Sequence, residues 1–192
     1  MNDHDRVWTA YYDEGVPATI DIPAISLIDL FHESIEKFGD NVCTIFNGDQ
    51  KTYHEIDQLS DRVARCLISH GIEKGERVGI MLPNIPEFVI TYLGILKAGG
   101  VVMALNPNYR PAEVARLSNE SDMKVLFLMN SAYREIKPIQ LNTTIRTLVN
   151  LGSVEKISKD DISWKDLLDE FAAGKPLTVK AVSYTHLRAH ET

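Results

Sequence analysis

Arg77 to Leu105 reads RVGIMLPNIPEFVITYLGILKAGGVVMAL. An apolar run, Val78 to Leu82, meets Pro83, which has no N–H for a ladder and biases Leu82 toward extended geometry. Asn84 is expected to accept from the first free N–H groups of a following helix, and Pro86 fits its first turn, where no donor is needed. Phe88, Val89, Tyr92, Leu93, Leu96 and Ala98 recur at helical spacing, and Gly99-Gly100 stops the run. Val101 to Leu105 is then a second buried strand. Short joints make this a β-α-β unit whose strands lie parallel.

The same reasoning extends outward. Upstream, residues 1–25 form an irregular lead, because Pro17 and Pro23 forbid a long helix. Ser26 caps a helix running to Phe38, with Leu27, Leu30, Phe31, Ile35 and Phe38 on one face and Gly39 as its stop. Val42 to Phe46 is a strand, Asn47-Gly48 a hairpin turn, and Lys51 to Tyr53 the return strand. Thr52 and Glu55 have capping-box spacing for a helix to about His70, with Ile56, Leu59, Val63, Cys66 and Leu67 facing inward and Gly71 beyond its end.

Downstream, Asn106 to Val114 turns the chain into a helix from Pro111 that carries Val114 and Leu117. Val125 to Met129 is a strand, Ser131 to Lys137 a short helix broken by Pro138, and Ile145 to Leu151 a further strand. Asp161 to Ala173 is an amphipathic helix closed by Gly174. The alternation implies an α/β fold, a mainly parallel sheet flanked by helices. Right-handed crossovers put the loops at Pro83–Pro86 and Asn106–Pro111 on the carboxyl edge, where open α/β sheets bind ligands.

Composition excludes several functions. A net charge of −7 and a pI near 5.3, with basic residues scattered, argue against nucleic-acid binding. No apolar run approaches the roughly 18 residues of a membrane helix. The acidic, aromatic N-terminus does not resemble a secretory leader. Cys43 and Cys66 lack CxxC spacing and read as two reduced thiols of a cytoplasmic protein.

Chemical motifs are sparse. Gly99-Gly100 lies between a helix and a strand, the reverse of a dinucleotide fingerprint, so a helix stop explains it better than a phosphate loop. No Gly-x4-Gly-Lys-Ser/Thr and no Gly-x-Ser-x-Gly occurs. His54 and Glu55 could pair as acid and base, but a solvated helix face accounts for them. Glu155, Asp160 and Asp161 read as a solvated loop and a helix start. His186 and His190 are four apart, as metal ligands on a helix would be. From its own motifs the chain offers no catalytic, cofactor-binding or metal-ligating residue.

The order of short motifs resembles something more specific. Thr52-Tyr53-His54-Glu55-Ile56 at a helix start, Lys74-Gly75-Glu76-Arg77-Val78 before a strand, Met81-Leu82-Pro83-Asn84 at its end, GILKAGG at Gly94–Gly100 and NPNYRPAE at Asn106–Glu113 together resemble the N-terminal subdomain of AMP-forming acyl-CoA synthetases. The likeness covers about residues 8–180. WTAYYDEGVPATIDIPAISLIDLF, Trp8 to Phe31, is most similar to bacterial long-chain fatty-acid–CoA ligases.

The resemblance implies that residues 26–180 are an incomplete AMP-binding domain of an enzyme using ATP, Mg2+ and CoA. That enzyme makes an acyl-adenylate and pyrophosphate, then a thioester as CoA displaces AMP. The family's phosphate loop, magnesium-binding Thr-Glu pair, ribose-binding Asp and mobile lysine have no match here. The chain is therefore expected to be inactive alone and to bind none of these cofactors. An aryl or amino-acid adenylating ligase fragment, or a non-catalytic interaction module on the same scaffold, are the alternatives. Small-molecule substrates, no nucleic acid, a homodimer and a cytoplasmic or membrane-peripheral location are the corresponding expectations for the full enzyme. Only Tyr184-Thr185 matches the start of the phosphate loop. Residues 183–192 read as a non-native tail of translated adapter sequence, which would make His186 and His190 accidental and leave the tail packed against nothing.

Overall fold

The structure, a computed structural model, describes residues 7–20, 24–152 and 157–172. The expectations for Glu155, Gly174, Tyr184-Thr185, His186, His190 and the 183–192 tail lie outside these residues.

Local hydrogen bonding decides where most elements begin. Helix α1, Leu27–Phe38, starts where Ser26 Oγ accepts from the Asp29 N–H and the Asp29 carboxylate accepts from the Ser26 N–H. The hairpin β1 (Val42–Phe46) and β2 (Asp49–Thr52) turns through Asn47 and Gly48, both at positive φ. Thr52 and Glu55 exchange both bonds of a capping box, at 3.2 and 2.7 Å, and open α2, Tyr53–Ser69. Gly39 has an ordinary helical φ. The ring of His54 stands where a Cβ of residue 39 would lie.

The β-α-β unit is present as β3 (Arg77–Met81), α3 (Pro86–Lys97) and β4 (Val101–Ala104). Ile85, not Asn84, occupies the N-cap position, without a side-chain cap. Pro86 at the first helical position removes one of the donors that a helix start leaves unpaired. Then follow α4 (Pro111–Ser121), β5 (Val125–Met129), α5 (Asn130–Ile136) and a 3-10 stretch, Lys137–Asn142. The α-helix breaks at Pro138 as expected: α5 ends at Ile136, and Pro138 sits in the first turn of the 3-10 stretch that follows. The next strand, β6, spans Thr147–Leu151.

The last expected helix is the clearest correction. Ile162–Ser163 is a short strand, β7, paired parallel to β6, and helix α6 begins only at Trp164 and ends at Glu170. Asp161 is neither solvated nor helical; it is buried just ahead of that strand. Periodicity could not separate a two-residue strand from the helix it precedes.

The main sheet has five parallel strands in the order β4-β3-β5-β6-β7. Alternate side chains feed two cores. Val78, Ile80, Val125, Phe127 and Val149 meet Ile56, Val63 and Leu67 of α2, Ile90 and Ile95 of α3, and Leu167 of α6. Leu126, Leu128 and Leu148 meet Val114 of α4 and Tyr133 and Ile136 of α5. Two glycines permit close approach. A Cβ on Gly94 would stand 2.6 Å from Val63 and 2.9 Å from the Ser60 carbonyl oxygen of α2. A Cβ on Gly79 would strike Met123 and Leu126.

Helix α1 packs through Ile28, with the Phe31 ring 6.2 Å from that of Tyr53. Its expected inward face is only partly inward. Leu27, Leu30 and Phe38 remain about half exposed, because α2 covers one side of a wide apolar stripe.

Candidate functional site

The strand order reverses at β3. The connection from β3 leads to β4 on one side, and the next connection returns across β3 to β5 on the other. Helix α3 packs on one face, α4 and α5 on the opposite face. Connections that part in this way open a crevice at the carboxyl ends of the central strands. A cleft of about 280 Å³ lies there, walled by Met81 at the end of β3, Pro107 to Arg110 after β4, and Ser131, Ala132, Glu135 and Ile136 of α5.

The loop is shaped by its own polar groups. Asn106 Oδ1 accepts from the Asn108 N–H at 2.9 Å, and its carbonyl accepts from the Tyr109 N–H at 3.0 Å. This Asx turn brings Tyr109 and Arg110 to the cleft. Pro111 starts α4, and the Glu113 carboxylate folds back to the Arg110 N–H at 2.9 Å. That carboxylate occupies the helix end at which an anion would otherwise be held. Of the two loops expected at this edge, Asn106–Pro111 lines the cleft and Pro83–Pro86 does not.

The cleft walls contain a serine but no histidine or cysteine to activate or replace it. The arrangement can orient a polar group between Arg110, Glu135 and Tyr109.

The sequence candidates fall elsewhere. Gly99 and Gly100 lie at the amino edge of the sheet, before β4. Their N–H groups are spent on the Leu96 and Ile95 carbonyls at 3.0 and 2.9 Å, and Gly99 has φ +81°. They close α3 and cradle nothing. Glu55 is committed to its capping box. His54 Nδ1 lies 3.2 Å from Asp40 Oδ1 on the surface. Cys43 and Cys66 are free thiols. Burial pushes the Cys66 thiol up to about 12, with the charge of Glu170 adding to it. Burial also raises Cys43. Asp160 stays exposed.

Two ionic clusters escaped the sequence reading. The Lys97 ammonium is buried between Asp57 at 2.5 Å and Asp61 at 2.7 Å, and also donates to the Asp57 carbonyl. The fully buried Asp161 carboxylate accepts from Tyr133 Oη at 2.9 Å, Lys137 Nζ at 2.6 Å and the Leu148 N–H at 3.0 Å. Both clusters tie elements together, since every strong donor in them already has a protein partner. No group of His, Cys, Asp and Glu among the described residues could hold a metal ion. No described helix is long and apolar enough to cross a membrane.

Residues 31–186 match the family model of the AMP-binding enzymes. The chain is 32% identical over 138 residues to a long-chain-fatty-acid–CoA ligase of Bacillus subtilis, covering 72% of this chain and 24% of that protein. It thus spans about a quarter of the length of the curated relatives it matches. In fold it is similar to an anthranilate CoA ligase in complex with anthranoyl-AMP, with a TM-score of 0.73, 19% identity and coverage of 85% of this chain and 31% of that one. It is likewise similar to a long-chain-fatty-acid-CoA ligase from Archaeoglobus fulgidus, with a TM-score of 0.73, 22% identity and coverage of 90% and 34%.

Proposed function

This chain belongs to the AMP-binding enzyme family, and we propose that it is the amino-terminal scaffold of an AMP-forming fatty-acid–CoA ligase. The observation that carries the substrate class is the 32% identity to the Bacillus subtilis ligase across most of the chain. The full enzyme activates a carboxylate that resists nucleophiles by joining its oxygen to the α-phosphate of ATP, with pyrophosphate leaving. The CoA thiol then displaces AMP and forms the thioester.

Among the described residues, none fits ATP, Mg2+ or CoA as a ligand. A transferring phosphate needs preorganised donors and a cation. Here the glycine amides close a helix, Glu113 occupies the start of α4, and Lys97 is held by two carboxylates. The contribution of this chain is a rigid sheet whose carboxyl-edge cleft forms a wall beside the reacting groups. A cytoplasmic location agrees with the two free cysteines.

The test is pyrophosphate release with ATP, magnesium and a panel of fatty, aryl and amino acids. It compares the 192-residue chain with the continuous polypeptide encoded by its gene. Turnover by the longer polypeptide with fatty acids alone is expected. Preference for aryl or amino acids would transfer it to another branch of the family. Turnover by the short chain would show a catalytic site within it.

A further inference from the structure

The basic residues are scattered along the sequence, but the sheet gathers three of them at its amino edge. Gly79, Leu126 and Leu148 are register partners on β3, β5 and β6. The two leucines face α4 and α5, and a Cβ on Gly79 would meet Leu126 on that same face. Two residues earlier in each case stand Arg77, Lys124 and Arg146. The Lys124 N–H donates to the Arg77 carbonyl at 3.0 Å, and the Arg146 N–H to the Lys124 carbonyl at 2.7 Å. Alternation sends all three side chains out on the α4 side, one strand spacing apart.

Asp122, at φ +55° just after α4, is the carboxylate that meets this row. Lys124 Nζ donates to it at 2.5 Å. That hydrogen bond, and then the charges of Lys124, Arg146 and Arg77, hold the Asp122 carboxyl below its usual range. Arg77 and Arg146 are exposed, and neither guanidinium makes a hydrogen bond or close ion pair among the described residues. A lysine at the end of α4 is accounted for by Asp122 and by the helix dipole; two further unpaired guanidiniums are not. The row thus keeps two planar donor forks, about 10 Å apart across two strand spacings, on either side of a neutralised pair.

We infer that Arg77, Lys124 and Arg146 form a docking surface for an acidic helix of a partner protein, with carboxylates seven residues apart taken by the two arginines. Seven residues advance a helix by about 10.5 Å and return to nearly the same face, which matches the spacing of the guanidiniums. A compact polyanion fits less well, since bridging both forks would set it against the exposed carboxylate of Asp122. A helix straddles Asp122 and can face it with an uncharged residue. The row lies at the amino edge, opposite the carboxyl-edge cleft, so an occupied surface leaves that cleft open. The inference goes beyond the reaction proposed above and does not depend on it.

The test is fluorescence anisotropy of two labelled helical peptides of equal charge, one with glutamates seven residues apart and one with glutamates five apart, at about 50 mM salt, where screening is weak. Both the 192-residue chain and the continuous gene product are titrated. The seven-spaced peptide is expected to bind both proteins about threefold to fivefold more tightly, the value of one exposed charge pair. Arg77→Gln and Arg146→Gln should each erase that preference and leave the Tm unchanged. No binding, equal binding of the two peptides, or a preference that survives either substitution would overturn the inference. So would displacement of the peptide by an equal concentration of inorganic pyrophosphate, which would assign the row to a small anion. Binding by the short chain but not by the longer one would show the row to be covered within the polypeptide, and would overturn it too.

Discussion

Tyr133 on α5 donates its hydroxyl to the buried carboxylate of Asp161, 28 residues later in the chain, at 2.9 Å. The same hydroxyl accepts from the Ser158 N–H at 3.3 Å, and the same carboxylate accepts from the β6 backbone at Leu148. One side chain thus fixes a helix, a strand and the lead into β7. Burial raises Tyr133 above the usual phenol range, and the neighbouring carboxylate adds to the shift, so the hydroxyl stays a donor.

Asp161→Ala should destabilise the chain by about 2–3 kcal/mol, since it strands a buried N–H and a hydroxyl while Lys137 can still turn to water. Tyr133→Phe removes a single bond and should cost about 1 kcal/mol. Urea unfolding midpoints read both. Equal effects would mean that the Leu148 N–H and Lys137 add nothing.

Gly94→Ala should cost about 1–3 kcal/mol by overpacking, because the added methyl meets Val63 and a backbone oxygen that cannot retreat. Adding Val63→Ala should recover part of that loss and no more, since the Ser60 carbonyl stays in place. Thermal melts of the single and double variants form the cycle. Additive losses would show that Gly94 and Val63 do not compete for the same space.

Lys97→Ala should be more damaging than Lys97→Met. Both abandon the Asp57 and Asp61 carboxylates, which are partly exposed and can regain water, but only alanine also leaves a void between α2 and α3. An expected gap of about 1–2 kcal/mol separates the two in denaturant titrations. Equal losses for the two variants would mean that the ammonium, not the packing of its stem, sets the cost.

Cys66 should resist alkylation at pH 8 while Cys43 reacts first, because the attacking species is the thiolate and burial disfavours it more strongly at Cys66. The linkage has a sign. The Cys66 thiol loses its proton near 9 when unfolded and near 12 when folded, so above pH 9 the unfolded state binds fewer protons. Stability from this group is whole below pH 9 and falls as pH rises toward 12. Cys66→Ser lacks this titration, and its stability should decline less over that window. Parallel curves for the two proteins would place the loss elsewhere.

The sequence by itself determined whatever depends on partners three or four residues apart. The Ser26 and Thr52 caps, the Asn47-Gly48 turn, the stop at Gly99 and the β3-α3-β4 unit are local bargains between backbone and neighbouring side chains. The parallel sheet followed from their succession, and the family from the order of several short motifs. Only the tertiary structure decided the strand order, and with it a cleft lined by Tyr109 and Arg110 but not by the Pro83–Pro86 loop. It also decided that Asp161 is buried, that Gly94 is a packing glycine and that half of the α1 stripe is left open. Periodicity identifies an apolar face but not how much of it a neighbour covers. Likewise a carboxylate reads as solvated until a hydroxyl 28 residues away is folded against it.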